Sequence, residues 1–280
     1  MKLLKDKTVV ITGGGRGIGK AVARAYANEG ARLLLIARTE KELERTQKEL
    51  QRTGARVEIM AGDVSGEQFV ERIAAYIKKS FGSVDILVNA AGIYGPIGPV
   101  SSIDPKEWEK TLAINLVGTF LMSRMVIPLM RSSARGKIIH FGGGGEGALP
   151  NFSAYVASKG AVARFTETLA AEVKKLNIDV NAVLPGAVNT AFVDQLLAAG
   201  REKVGEEMYK KSLKQKKEGG VSPQKAAALC VFLASHRSDG ISGKTFSAVW
   251  DEYEKIPDHL NEVMQSDVYT YRRIKPDSKK

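Results

Sequence analysis

The stretch Thr8-Val9-Val10-Ile11-Thr12-Gly13-Gly14-Gly15-Arg16-Gly17-Ile18-Gly19 decides the fold expected of this chain. Its first five residues are all β-branched, which is typical of a buried strand. The residues from Lys20 to Glu29 then have the apolar spacing of a helix, and Gly30 ends it. A strand, a glycine turn and a helix in this order predict a dinucleotide site, because the turn lets a pyrophosphate approach the free N–H groups and the positive dipole end of the helix.

Further apolar, β-rich segments alternate with helical ones along the chain, which is the pattern of a parallel sheet. The candidate strands are Thr8–Thr12, Arg32–Ala37, Arg56–Ala61, Ile86–Asn89, Lys137–Phe141, Asp179–Leu184 and Thr245–Val249. Two helix starts are predicted by N-capping patterns, at Ser65 with Gln68 three residues later and at Asp104 followed by Pro105. The expected fold class is therefore α/β, a Rossmann-type, doubly wound, seven-stranded parallel sheet with helices on both faces.

Length and composition indicate a single domain, because 280 residues with 44% hydrophobic content suffice for one α/β core. We expect one dinucleotide-binding domain over residues 1–249 and a C-terminal extension over 250–280. The extension is rich in aromatic residues, namely Trp250, Tyr253, Tyr269 and Tyr271. This composition predicts packing on its own subunit or on a neighbour rather than disorder.

The net charge of +11 does not by itself indicate nucleic acid as a partner. Lysines and arginines are spread along the chain, with concentrations at Lys210–Lys217 and in the tail, and no nucleic-acid motif accompanies them. We interpret them as a solvated basic face, with a docking surface for an anionic substrate or an acidic carrier as the alternative.

The remaining composition favours a cytoplasmic protein without a membrane partner. Cys230 is the single cysteine and lies in an apolar stretch, so a buried, inert thiol is expected. The start of the chain has no apolar run long enough for a signal peptide, and no stretch approaches the ~20 apolar residues that a membrane span needs. No metal site is predicted.

Tyr155 and Lys159, in Tyr155-Val156-Ala157-Ser158-Lys159, form the candidate catalytic pair. A helix places them on one face, one turn apart. A tyrosine alone titrates near ~10, and an adjacent cation lowers that pKa by favouring the phenolate. The pair therefore suits proton transfer to and from a carbonyl oxygen at neutral pH.

Several motifs in register carry a family resemblance. These are Gly13-x-x-x-Gly17-x-Gly19, Asn89-Ala90-Ala91-Gly92, Asn115, Tyr155-x-x-x-Lys159 and Pro185-Gly186. Together they resemble the short-chain dehydrogenase/reductase family from about Leu4 to Gly243. The resemblance implies that residues 1–249 are also the catalytic domain, with a substrate lid at about 191–219. The resemblance implies an oxidoreductase that moves a hydride between a nicotinamide cofactor and a small carbonyl or alcohol substrate, and we expect a homodimer or homotetramer.

The resemblance also implies which residues hold the cofactor. They are Gly13, Gly15, Arg16, Gly17, Ile18, Gly19, Arg38, Asp63, Val64, Asn89, Ala90, Gly92, Tyr155, Lys159, Pro185, Gly186, Val188 and Thr190. The second strand ends in Leu35-Ile36-Ala37-Arg38-Thr39, without the acidic residue that hydrogen-bonds the ribose 2′-hydroxyl of NAD. Because Arg38 and Arg16 are suited to pair with a 2′-phosphate, NADP(H) is expected over NAD(H).

In the family, the residue matching Tyr155 is the general acid/base, that matching Lys159 holds the nicotinamide ribose and lowers the pKa of the phenol, and that matching Asn115 orders a water behind the lysine. The family's serine, thirteen positions before the tyrosine, is Gly142 here. Losing one such donor lowers a rate by about 10²–10³. Backbone N–H groups of residues 142–145 are one replacement.

Two other functions stay open on the sequence. One is oxidation of a sugar-type alcohol coupled to epimerisation, and the other is a catalytically weak NADP-binding regulatory protein. Retention of Tyr155, Lys159 and Asn115 favours an enzyme. If Tyr155 is not the acid, Glu146 is the next candidate.

Overall fold

The computed structural model describes residues 2–130, 135–144 and 147–273. Seven strands occur in these ranges: β1 (Thr8–Thr12), β2 (Arg32–Ala37), β3 (Arg56–Ala61), β4 (Ile86–Asn89), β5 (Gly136–Phe141), β6 (Ile178–Leu184) and β7 (Thr245–Ser247). All neighbouring pairs are parallel, in the order β3-β2-β1-β4-β5-β6-β7. The predicted fold class is confirmed. The last strand ends at Ser247, two residues earlier than predicted. Beyond it, the Ala248 N–H donates one more hydrogen bond to the Leu184 carbonyl, and the chain then turns away at Trp250.

The helices that cover the sheet are α1 (Gly17–Asn28), α2 (Glu40–Gln51), α3 (Glu67–Ser80), α4 (Pro105–Leu112), α5 (Gly118–Val126), α6 (Ser153–Val173), α7 (Ala191–Ala199), α8 (Arg201–Val204), α9 (Glu206–Glu218), α10 (Pro223–Ala234) and α11 (Leu260–Gln265). A π-helical turn, Ala113–Val117, joins α4 to α5. Short 3₁₀ segments lie at Val100–Ser102, Ile127–Leu129, Lys174–Leu176, His236–Ser238 and Tyr253–His259.

Alternate residues of each central strand enter two different apolar cores. Val9 and Ile11 of β1 pack with α1 and α10 on one face, whereas Val10 packs with α3, α5 and α6 on the other. Side chains of a strand point alternately to the two faces of the sheet, so a strand buried on both faces needs apolar residues at odd and at even positions. The strand order reverses between β1 and β4, so their carboxyl ends open a crevice where doubly wound sheets bind ligands.

Two predicted helix starts have different outcomes. The carboxylate of Asp104 accepts a hydrogen bond from the Lys106 N–H, and Pro105 is the first residue of α4, as predicted. The N-cap predicted at Ser65 is wrong, because α3 begins one residue later than that pattern requires, with Gly66 at the cap. The Ser65 hydroxyl donates instead to the Asp63 carboxylate at 2.7 Å. Helix α1 likewise begins at Gly17, within the glycine turn, rather than at Lys20.

The helical segment Pro105–Leu129 is long and apolar enough to cross a membrane, so the expectation that no stretch reaches this length was wrong. More than half of its most apolar window is buried. Leu121, Met122 and Val126 lie in the core between α3 and α6. A helix of a protein core passes the same test of length and composition, because burial in protein and burial in lipid select the same apolar side chains.

The described part of the C-terminal extension packs on its own chain. The Lys244 ammonium donates to the carbonyls of Ser266 and Val268 at 2.8 and 2.9 Å, and the Thr245 N–H donates to the Tyr269 carbonyl. The extension thereby covers the outer edge of β7, which would otherwise expose unpaired backbone groups. Residues 274–280 lie outside the described residues. Cys230 is fully buried, and burial raises the pKa of its thiol, in agreement with an inert role.

Candidate active site

The glycine turn between β1 and α1 is packed so closely that side chains do not fit. A Cβ on Gly13 would lie 2.9 Å from the Ala90 carbonyl oxygen, and Gly13 has a φ of +71°, which disfavours other residues. A Cβ on Gly19 would overlap the Gly13 carbonyl. The turn therefore presents backbone N–H groups and the start of α1 to the crevice, which is the arrangement that binds a pyrophosphate.

A cleft of about 970 Å³ opens along the carboxyl ends of the strands. Its lining includes every predicted cofactor residue except Asn89. The members are Gly13, Gly15, Arg16, Gly17, Ile18, Gly19, Arg38, Asp63, Val64, Ala90, Gly92, Tyr155, Lys159, Pro185, Gly186, Val188 and Thr190. These residues come from the segments that follow five of the strands and from helix α6, so the fold brings the dispersed motifs to one surface.

Asn89 lies beneath the cleft rather than in its lining. Its side chain is buried and donates to the Ser123 hydroxyl at 3.3 Å. The same hydroxyl contacts His140 Nε2 at 3.2 Å, and His140 Nδ1 contacts Thr166 at 2.9 Å. Burial, with the nearby Lys159 cation adding, lowers the pKa of His140 to about 3, so this ring is neutral. The sequence analysis missed this polar line because its members are far apart in the chain.

Tyr155 and Lys159 lie on α6 and both line the cleft while being largely buried. The Lys159 ammonium donates to the Phe141 carbonyl at 2.7 Å, and burial lowers the pKa of Lys159 to about 8. Burial also raises the pKa of Tyr155, and the Tyr94 phenol adds to that rise. The predicted lowering of the Tyr155 pKa by Lys159 is not found in the protein by itself, because desolvation is the largest cause acting on this phenol and it raises the pKa. Tyr155 holds its proton at neutral pH.

Asn115 lies in the π-helical turn and does not line the cleft. Its side-chain oxygen accepts from the Ile93 N–H, and its NH₂ donates to the Ile93 carbonyl and to the Ser158 hydroxyl, each at 2.9 Å. The amide thus clamps the loop after β4. Asn115 and Lys159 flank Gly92, where a Cβ would lie 3.3 Å from the Asn115 oxygen and 3.6 Å from the Lys159 nitrogen. A role in a water relay stays a prediction.

The glycine run after β5 approaches Tyr155 through Gly143, not Gly142. The Gly142 N–H donates to the Val183 carbonyl at 3.0 Å, which extends the β5–β6 pairing. A Cβ on Gly142 would point at Leu184, 2.7 Å from its Cδ2 atom. A Cβ on Gly143 would overlap the Tyr155 hydroxyl oxygen. Gly145 and Glu146 lie outside the described residues.

Aromatic and aliphatic side chains surround Tyr155 at one end of the cleft. The Tyr94 ring lies 4.8 Å from the Tyr155 ring, at 75° to it, and 4.5 Å from the Phe192 ring. The wall is completed by Leu149, Leu196, Met208 and the exposed Trp250. Tyr94 was not predicted, although an aromatic residue two positions after Gly92 was a usable signal.

The opposite end of the cleft carries the charged residues. Arg38 is exposed at the end of β2 and has no hydrogen bond or ion pair within the described ranges. Arg16 pairs with Glu42 at 3.3 Å. Glu42 also lines the cleft and was not predicted, because it lies in the first turn of α2 and not at the end of β2.

Comparison with known proteins decides the family. The model for the short chain dehydrogenases matches residues 7–200. The chain belongs to the short-chain dehydrogenase/reductase family. The uncharacterized oxidoreductase YxbG of Bacillus subtilis (strain 168) is 33% identical over 250 residues, 89% of this chain and 91% of that protein.

Two solved structures that resemble this one contain a nicotinamide cofactor. L-sorbose reductase from Gluconobacter frateurii, complexed with NADPH and L-sorbose, has a TM-score of 0.78, 29% identity, and coverage of 88% of this chain and 97% of that one. NAD+-bound xylitol dehydrogenase has a TM-score of 0.80 and 26% identity, with coverage of 87% and 98%. This chain is accordingly an oxidoreductase of that family with a site for a nicotinamide dinucleotide.

Proposed function

We propose that this protein is an NADP(H)-dependent carbonyl reductase that acts on a small, apolar, ring-bearing ketone or aldehyde. The observation that carries the proposal is the place of Tyr155, whose protonated phenol stands where the glycine-lined cleft meets the aromatic pocket. A phenol that retains its proton at neutral pH has that proton available for a carbonyl oxygen, and an adjacent lysine cation favours the phenolate that forms when the proton leaves.

The residues of the cleft fit a nicotinamide dinucleotide. The turn at Gly13 leaves no space for a side chain, as a backbone cradle for a pyrophosphate requires. Gly17 at the start of α1 also has a left-handed φ of +55° and faces Thr190 across the cleft. A nicotinamide held there would supply a hydride for the carbonyl carbon. Tyr155 transfers its proton to the carbonyl oxygen, and Lys159, held by the Phe141 carbonyl, stabilises the phenolate that remains.

The preference for NADP(H) over NAD(H) is supported by the charges at the far end of the cleft. Arg38 is exposed there without a described partner, so its guanidinium is available to a phosphate. Glu42 opposes this preference, but its carboxylate is engaged by Arg16. Titration of the protein with NADPH and with NADH, followed by cofactor fluorescence, tests the proposal, and tighter binding of NADH would contradict it.

The apolar, ring-bearing substrate is supported by the walls around Tyr155. Within the described residues, the cations of the cleft lining are Arg16, Arg38 and Lys159, and none comes from α7, α8 or α9. Helix α9 lines the cleft with Met208, Ser212 and Gln215 and carries its lysines elsewhere. An anionic or carrier-bound substrate would have to engage those lysines outside the cleft.

A turnover panel separates the candidate functions. Aryl ketones, acyl thioesters and sugar ketones are offered with NADPH, and polyols with NADP+, while the cofactor absorbance is followed. Preference for aryl ketones supports the proposal. Turnover of polyols or sugars would favour the second candidate function, oxidation of a sugar-type alcohol. The named substrates of the similar sorbose and xylitol enzymes support that candidate. Binding of NADPH without any turnover would favour a regulatory protein. The homodimer or homotetramer stays a prediction.

A further inference from the structure

The active site lacks one hydrogen-bond donor toward the substrate oxygen. Gly142 occupies the position of the family's serine, and a side chain added there would point at Leu184. A preorganised donor to a developing oxyanion contributes about 10²–10³ to a rate. A reductase of this family therefore needs a second group beside Tyr155 that can hydrogen-bond the same oxygen.

Tyr94 is a phenol beside Tyr155 to which the proposed mechanism gives no role. The two rings meet edge to face, 4.8 Å apart, and both side chains line the cleft. Tyr94 is half-buried, and across residues 2–130, 135–144 and 147–273 its hydroxyl has no hydrogen-bond partner. This hydroxyl is therefore available to a ligand in the cleft.

The loop that carries Tyr94 is held on both sides. The backbone N–H and carbonyl of Ile93 are both bonded to the Asn115 side chain at 2.9 Å. On the other side, Gly95 lies directly against Thr111 of α4, so closely that a Cβ on Gly95 would overlap the Thr111 hydroxyl. Anchoring of this kind fixes the position of a donor before the substrate binds, which is what stabilisation of an oxyanion requires.

Other hydroxyl groups near the substrate end already take part in local hydrogen bonds, Ser212 as a donor and the others as acceptors. The Ser212 hydroxyl donates to the backbone of its own helix, Thr190 caps α7, and the Ser247 hydroxyl accepts backbone N–H groups. Ser153 accepts a hydrogen bond from the Trp108 indole. Of the two described aromatic rings that pack against the Tyr155 ring, those of Tyr94 and Phe192, only Tyr94 carries a hydrogen-bond donor.

We propose that the Tyr94 hydroxyl donates the second hydrogen bond to the substrate oxygen and so replaces the missing serine. In the reduction, Tyr155 gives its proton to the oxygen as the hydride reaches the carbon, and Tyr94 keeps its own proton. The inference deepens the proposed function and rests on it for the identity of the oxygen. Electrostatic coupling between the two phenols agrees with it, since Tyr94 contributes to the raised pKa of Tyr155.

A binding experiment tests this role without turnover. The probe is benzamide, an unreactive amide whose carbonyl oxygen stands in for that of a substrate, titrated into the complex of the protein with NADPH. Tyr94→Phe keeps the ring and removes one hydroxyl, so it should weaken benzamide about fivefold, as the loss of one neutral hydrogen bond does. Tyr155→Phe should cause a similar loss. Tyr209→Phe, the matched control on the lid, should bind benzamide like the wild type.

Steady-state kinetics on an aryl ketone provides the second arm. Tyr94→Phe should lower kcat by about 10² and leave the KM for NADPH and the Tm unchanged. Wild-type benzamide affinity in Tyr94→Phe, or no benzamide binding to the wild-type complex, would overturn the assignment. A parallel loss of NADPH affinity and Tm would also overturn it, in favour of a packing role. Benzamide binding that needs Tyr94 in a protein that reduces no ketone would instead contradict the proposed function alone.

Discussion

Gly143 lies so close to Tyr155 that a single methyl group should disable the proposed acid. A Cβ at this position would lie about 1 Å closer to the Tyr155 hydroxyl oxygen than the 3.4 Å of an ordinary van der Waals contact. Either the phenol or the glycine loop must therefore move by about 1 Å in Gly143→Ala. Misplacement of a catalytic group by 1 Å lowers a rate by about 10². We expect kcat for ketone reduction to fall by that factor.

The assay compares kcat with the dissociation constant for NADPH in three alanine variants. Gly147→Ala is the matched control, because it lies in the same loop and its Cβ would have no neighbour within 4 Å. Gly142→Ala should have a small effect, since the Cδ2 atom of Leu184 is the end of a flexible side chain and can rotate away. A Gly143→Ala variant with kcat within a few-fold of the wild type would refute the assignment of Gly143 to the reacting centre.

Three further changes have defined outcomes. Arg38→Glu should weaken the binding of NADPH on the order of 10–100-fold and that of NADH much less, because it removes a charge-assisted bond to the 2′-phosphate. Equal losses of affinity for the two cofactors in a fluorescence titration would contradict this. Gly142→Ser should not raise kcat, because its side chain meets Leu184, and a variant faster on every ketone would contradict this. Burial lowers the pKa of Lys159 to about 8 from an ordinary ~10.4. Between these two pH values the unfolded chain binds more protons than the folded protein, so the free energy of unfolding should rise with pH. Below pH 8 the folded protein carries the full cost of burying the charged ammonium. Lys159→Met should flatten that rise, which urea unfolding from pH 7 to pH 10 measures. A difference in unfolding free energy between the variant and the wild type that stays constant over this range would contradict the prediction.

Most of the fold could be predicted because local sequence determines it. The strand that runs from Thr8 to Thr12 is β-branched throughout, and the glycines that follow leave few other conformations. The meeting of Tyr155 and Lys159 at the cleft was likewise predictable from helical spacing. Ser65 misled the prediction because its hydroxyl has a nearby alternative partner in Asp63, which competes with the helix cap.

The details of the site depend on contacts that spacing does not encode. Which glycine touches Tyr155 is set by the path of the chain beyond β5. The sequence indicated the run of residues 142–145 without distinguishing its members, and in the structure Gly143 lies against Tyr155. Tyr94 reaches the site because Asn115, far along the chain, clamps the residue before it. The raised pKa of Tyr155 arises first from burial, which is a property of the packed structure that helical spacing does not encode.

The most direct test of the central claim is single-turnover oxidation of NADPH by an aryl ketone in the wild type and in Tyr155→Phe. The variant lacks one oxygen and keeps the ring that packs against Tyr94. The account predicts that both proteins bind NADPH with equal affinity, that the wild type consumes it in step with alcohol formation, and that the variant is slower by at least ~10². Equal rates in the two proteins, or tight NADPH binding by a wild type that reduces no carbonyl compound, would contradict it.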